Sequence, residues 1–302
     1  MGRRLLLAAA AVLLVVLAVA GVGLLAGRDE ASTSGTGPTA GPGTGTSPTT
    51  TTVPTYDLYL AAGDSLAAGY QPTNPADRTD RDGGYAGLVL DALTQQGSTP
   101  ELVNLGCPRE TAASLLSAGP CSYPEGSQLA AAEAVLAQQP DGGDGVLVTL
   151  QVGANDVQRC VRLDDETASV DEECVAAGLE AVGDGLPEAL RRLRVAAPEA
   201  DVVVLGYYNP FAVAELLGPP FAGLAVRSAQ VQAQLNDVVA SSADAAGVRV
   251  ADVATPFAGT TGTSPGPVCS LTWMCADPPD VHATDEGYAL MADAVLAVLP
   301  RT

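Results

Sequence analysis

Short β-rich runs recur along the chain from residue 56 to the end, each followed by a longer helical stretch, and this alternation constrains the fold more than any other feature. Strands are expected at Tyr56–Ala62, Leu102–Leu105, Gly145–Val152, Asp201–Tyr207 and Val248–Val253. Helices are expected near Tyr85–Gln95, Gln128–Gln139, Glu172–Ala196, Ala225–Ala246 and Thr284–Leu299. A strand, a helix and a second strand close into a parallel pair through a right-handed crossover, which puts helices on both sheet faces. The pattern predicts one α/β domain, a three-layer α/β/α sandwich around a five-stranded parallel sheet. In such sheets functional residues collect where the strands end at their carboxyl side.

The first 55 residues are of another kind. Leu5–Ala26 is unbroken apolar, led by Arg3 and Arg4. Its 22 residues, at 1.5 Å each, make a helix of roughly 33 Å, enough to cross a bilayer. The paired arginines predict a cytoplasmic N-terminus and an exported body. A cleaved signal peptide fits as well, because Ala18-Val19-Ala20 offers small residues after a Leu5–Leu17 apolar core. Both readings put the body outside the cytoplasm, and the choice between them stays open. Ser32–Thr55 is nearly all Thr, Gly, Ser and Pro and has too little apolar surface to offset the entropy of folding. The expected organisation is therefore residues 1–30 as anchor or signal, 31–55 as flexible linker and 56–302 as catalytic domain.

Export gives the six cysteines an oxidising setting. Their grouping suggests neighbours: Cys107 with Cys121, Cys160 with Cys174, Cys269 with Cys275. Zinc is disfavoured, since there is no C-x-x-C spacing and only one histidine. A formal charge of −21, with every basic residue an arginine, excludes a nucleic-acid partner.

Four segments carry the chemistry. The first expected strand runs into Gly63-Asp64-Ser65-Leu66, the second into Asn104-Leu105-Gly106-Cys107, and the third into Gly153-Ala154-Asn155-Asp156. Asp280-Val281-His282-Ala283-Thr284 precedes the last helix. Together, in this order, they resemble the four signature blocks of the SGNH (GDSL-type) hydrolases, and Leu105–Glu110 with Gln128 and Cys160 resembles the disulfide-containing bacterial esterase branch. The resemblance implies a flavodoxin-like fold and a serine esterase needing no cofactor or metal. It implies Ser65 as nucleophile and His282 as base. It also implies an oxyanion hole made of the Ser65 N–H, the Gly106 N–H and the Asn155 side-chain amide.

The residues argue the same way by themselves. A serine hydroxyl is a weak nucleophile until a base takes its proton, and histidine titrates in the right range. His282 is the one histidine available. The plain alternatives are a structural histidine, a helix-capping role for Ser65, a turn role for Asn155 and a tight-turn glycine at Gly106. The family's aspartate stands three residues before the histidine, where this chain has Pro279. Asp280 is the expected substitute, Asp277 the second choice, and a backbone carbonyl is a third. Asp64, directly before the nucleophile, is expected to hydrogen-bond loop backbone. Trp273 either lines the substrate pocket or caps the core beneath its loop. Gly262-Thr263-Ser264-Pro265-Gly266 matches a G-x-S-x-G elbow in letters only, because Pro265 lacks the N–H that an elbow uses.

The expected partner is an ester, whether lipid, acylated carbohydrate or, by default, a small soluble acyl ester, with the membrane as a second partner if the N-terminal run is retained. A monomer is the default expectation. Acyl transfer on the same residues, or a silent envelope-binding module, are the rival readings.

Overall fold

A computed structural model describes residues 54–73, 78–163, 168–258 and 267–301. The Leu5–Ala26 run, the Ser32–Thr55 stretch apart from Pro54 and Thr55, and the Gly262–Gly266 segment lie outside these residues. Among the described residues no helix is long and apolar enough to cross a membrane.

Five strands form one parallel sheet: β1 (Leu58–Gly63), β2 (Glu101–Asn104), β3 (Val146–Gln151), β6 (Asp201–Leu205) and β7 (Arg249–Ala251), in the order β2-β1-β3-β6-β7. The sheet is the predicted one. Every residue of β1 and β3 is buried, because both faces of these central strands are covered, and both therefore read as continuous apolar runs. Edge strand β2 is partly exposed. A separate two-stranded hairpin, β4 (Val161–Leu163) and β5 (Ala168–Val170), was not legible in the sequence; three-residue strands are too short to show a period.

Helices α1 (Gly84–Gln95) and α9 (Asp285–Val298) pack together. Another group of helices packs together: α2 (Ala112–Leu116), α3 (Gln128–Leu136), α4 (Ala154–Gln158), α5 (Glu172–Ala196) and α6 (Pro219–Ala246). Short helices α7 (Ala254–Ala258) and α8 (Val268–Leu271) bring the chain from β7 back to α9. Helix α6 starts six residues ahead of the sequence expectation. Pro219 and Pro220 occupy its first turn, where a missing N–H costs nothing and a fixed φ suits the helix.

The chain order places the site. After β1 the chain moves outward to β2, then returns past β1 to β3, so the loops leaving β1 and β3 diverge and open a crevice at their carboxyl ends. Ser65 follows β1 and Asn155 follows β3 on either side of it.

Candidate active site

Gly63 ends β1 at φ +128°, and a Cβ there would lie 1.9 Å from the Gln151 carbonyl oxygen, so only glycine lets the chain turn here. Gln128, fully buried on α3, clamps this peptide from both sides. Its Oε1 accepts the Gly63 N–H at 2.7 Å and its Nε2 donates to the Gly63 carbonyl at 2.9 Å. The chain then winds through a tight turn in which Tyr70 N–H bonds the Ser65 carbonyl at 2.9 Å. Ser65 emerges 9% exposed, at the floor of a cavity.

His282 reaches it from the loop ahead of α9. The Nε2 atom lies 2.8 Å from Ser65 Oγ, and Nδ1 lies 2.5 Å from Asp280 Oδ1, which also accepts the His282 backbone N–H at 2.9 Å. Asp277 is exposed and makes no contact with the ring. Burial pushes the Asp280 carboxyl up, but hydrogen bonds from the His282 ring and N–H outweigh it and hold the group below the usual range, with help from His282 and Arg78 charge.

The histidine loop is fixed on several sides. Trp273 N–H donates to the His282 carbonyl and the Asp280 N–H donates to the Trp273 carbonyl, both at 3.0 Å. The Tyr208 hydroxyl donates to the Val281 carbonyl at 2.8 Å, and the Tyr70 ring stacks on the imidazole at 4.0 Å. Thr284 caps α9 through its side chain, with Asp285 and Glu286 in the first turn, where carboxylates favour the helix dipole. Trp273 does not line the cavity; its indole N–H donates to Gln71 Oε1 at 2.8 Å.

The oxyanion candidates differ from one another. Asn155, in the first turn of α4, lines the cavity and spends one amide N–H on the Glu110 carbonyl at 2.9 Å, leaving a second hydrogen for the site. The Ser65 N–H makes no hydrogen bond among the described residues. The Gly106 N–H is engaged by Asn104 Oδ1 at 2.9 Å, and Gly106 does not line the cavity. A Cβ at Gly106 would stand 2.4 Å from the Ala68 nitrogen, so glycine lets this loop press against the serine loop.

Asp64 is buried under the nucleophile. Its Oδ1 accepts the Leu66 N–H at 2.9 Å, as the sequence suggested, and its Oδ2 accepts the Tyr207 hydroxyl at 2.6 Å, which the sequence did not suggest. Burial pushes its carboxyl from 3.8 up to about 6, against the hydrogen bonds from Tyr207 and Leu66. Gln128 belongs to the sequence resemblance and Tyr70 closes the serine block, but their roles, and the presence of Tyr207 at the site, are revealed only by their partners.

The three disulfides join Cys107–Cys121, Cys160–Cys174 and Cys269–Cys275. Each pins a loop beside the site: Cys107 follows Gly106, Cys160 follows α4, and the last bridge lies ahead of His282.

The cavity has a volume of about 410 Å³. Val157, Val161, Val170, Val175, Val231 and Leu235 supply much of its wall, and Ser65 and His282 open into it.

A serine in contact with a histidine–aspartate pair above a parallel sheet is the arrangement of a serine hydrolase. The chain belongs to the GDSL-like lipase/acylhydrolase family, whose pattern matches residues 61–290, and it is an ester hydrolase. A search among curated proteins finds no match. Among solved structures it is similar to an extracellular lipase from Streptomyces rimosus, with 22% identity, a TM-score of 0.51, and 80% of this chain and 99% of that one covered. It is likewise similar to the lipase Lip_vut3 from a goat rumen metagenome, with 15% identity, a TM-score of 0.52, and 80% and 96% covered. At such identities the likeness shows the fold.

Proposed function

We propose that the chain is an extracytoplasmic esterase that hydrolyses esters of apolar acyl groups through an acyl-enzyme on Ser65. The observation that carries this reading is the Asp280–His282–Ser65 chain of contacts opening into an apolar cavity. The His282 Nε2 takes the Ser65 Oγ proton as Oγ adds to the ester carbonyl. The carbonyl oxygen becomes the oxyanion, facing the Ser65 N–H and the free Asn155 amide hydrogen; Gly106 N–H joins only by sharing its bond to Asn104. Collapse breaks the acyl–oxygen bond, and the alcohol leaves with the proton from His282. Water then repeats the addition, giving its proton to His282, and Ser65 recovers that proton as the acid departs. Asp280 holds the imidazole in the tautomer that keeps Nε2 a base and stabilises the imidazolium.

The three disulfides and the apolar N-terminal run support an extracytoplasmic location. The departure at Pro279 was the one feature favouring a silent module, and the Asp280–His282 contact supports the active reading instead. The apolar walls favour a fatty acyl group over acetyl.

The test is hydrolysis of p-nitrophenyl acetate, butyrate and palmitate by wild type and Ser65→Ala. The reading expects turnover to vanish in the variant and catalytic efficiency to rise from acetate to butyrate. A variant as active as wild type overturns it, and fluorophosphonate labelling of Ser65 checks the nucleophile independently.

A further inference from the structure

Residues Pro210–Val226, reading PFAVAELLGPPFAGLAV, contain one ionisable side chain, Glu215. The 3-10 segment Pro210–Leu217 and the first turns of α6 fold this stretch into a two-faced wall. Inside, Pro210 and Phe211 line the cavity, while Ala214, Leu224 and Ala225 pack against Val161 and Val170 of the hairpin, which line it too. Outside, Leu216, Leu217 and Val226 stand 58%, 56% and 59% exposed, with Pro219, Pro220 and Ala222 exposed between them. Among the described residues the other exposed large apolar ones, Leu88 and Val195, are single positions on α1 and α5.

Large apolar residues exposed together along one segment, with Glu215 the one exposed charge among them, mark an interaction surface, and three observations say what it meets. The first is continuity: Pro210 and Phe211 of the same segment line the cavity that holds Ser65, so the segment that meets a surface here also borders the acyl cavity. The second is charge. A chain of formal charge −21 repels anionic lipid and also a second copy of itself, which leaves an uncharged or zwitterionic surface. Arg227, next to the face, is already paired with Glu172. The third is reach. Ahead of the body the sequence carries the 22-residue apolar run Leu5–Ala26, of the length a bilayer core requires, and then the 24 residues Ser32–Thr55, rich in Thr, Gly, Ser and Pro.

We propose that the outer face of Pro210–Val226 docks on a zwitterionic lipid bilayer, from which the enzyme draws its acyl substrates. The inference rests on the ester-hydrolase reading at Ser65 and adds where the substrate resides. A docked face lowers the barrier to transfer of an acyl ester from the lipid phase, and it has no part in turnover of an ester already in water.

The experiment uses the full-length chain in phosphatidylcholine vesicles, so that any N-terminal tether acts equally on every variant. Wild type, the triple variant Leu216→Ser, Leu217→Ser, Val226→Ser, and a Val195→Ser control are assayed on dissolved p-nitrophenyl butyrate and on p-nitrophenyl palmitate carried in the vesicles. The triple variant is expected to lose about tenfold on the vesicle-borne ester while its rate on the dissolved ester stays within about twofold of wild type. Val195→Ser is expected to match wild type on both, and vesicles containing phosphatidylglycerol are expected to slow wild type. Equal vesicle-borne rates in wild type and triple variant overturn the proposal, as does equal loss on both substrates, which reduces the segment to cavity wall. A wild-type dimer that the triple variant converts to monomer also overturns it and assigns the face to a second copy. The Ser65 reading fails separately, if Ser65→Ala still hydrolyses the dissolved ester.

Discussion

His282 is the chain's only histidine, so its pairing with Ser65 was legible from the sequence, and the motif spacing named both. The identity of the carboxylate on its far side was not, because two aspartates and a backbone carbonyl were within loop reach. The fold selects Asp280 by returning its carboxylate to the histidine's own backbone N–H as well as its ring, while Asp277 faces water. Gly106 is the residue where the motif and the geometry part, since the Asn104 side chain has taken its N–H. In the proposed mechanism the free Asn155 hydrogen therefore carries more of the oxyanion. Asn155→Ala is expected to lower kcat by about 10²–10³ with little change in KM, read from steady-state kinetics on p-nitrophenyl butyrate. Asp64 gives a second prediction. Its folded carboxyl stands near 6 against 3.8, so between those values the native state keeps a proton that the unfolded chain has lost, and stability falls as pH rises. Wild type is expected to lose about 3 kcal/mol relative to Asp64→Asn across this window, with a flat difference below and above it. Urea unfolding of both proteins at pH 4, 5, 6 and 7 measures this, and a difference independent of pH contradicts it.

Among the elements, the long periodic helices and the buried strands were legible because length and pattern both report on them. What the sequence concealed are the pieces that shape the cavity: the β4–β5 hairpin, the 3-10 segment Pro210–Leu217 and short α4. Each is too brief for a period and is held by tertiary contacts, such as the Cys160–Cys174 bridge that ties the end of α4 to the start of α5. The fit of α5 against α4 is equally local. At Gly178 a Cβ would lie 2.4 Å from the Asp156 carbonyl oxygen. Gly178→Ala therefore tests two opposed effects: alanine favours an isolated helix by about 1 kcal/mol, whereas overpacking against a backbone oxygen costs about 1–3 kcal/mol. The clash is expected to win, lowering the thermal midpoint and, because α4 carries Asn155, lowering kcat as well. A thermal midpoint above wild type would show that the two helices separate freely.

At the scale of the molecule, the catalytic unit is expected to begin at Tyr56. That residue is 1% exposed, and its hydroxyl donates to Asp201 Oδ2 at 2.8 Å, joining the entry of β1 to β6. A chain starting at Tyr56 is expected to fold and hydrolyse p-nitrophenyl butyrate with the kcat of the full chain, whereas one starting at Leu58 is expected to lose stability; circular dichroism melts and rates on both decide it. The sequence by itself determined the layer architecture, the order of the strand and helix segments, and the side chains proposed to bear the chemistry, because periodicity and short motifs are local properties of a chain. The tertiary structure decided the rest: which aspartate meets the histidine, which glycine N–H is already spent, how Gln128 and Tyr207 brace the serine loop, and which face of an apolar segment lines the cavity while the other meets solvent. Those outcomes depend on how distant segments meet: Gln128 and Tyr207 reach the serine loop from 65 and 143 positions away, and the histidine loop meets Ser65 across 217, distances set only when the sheet closes and the loops at its carboxyl edge share one crevice.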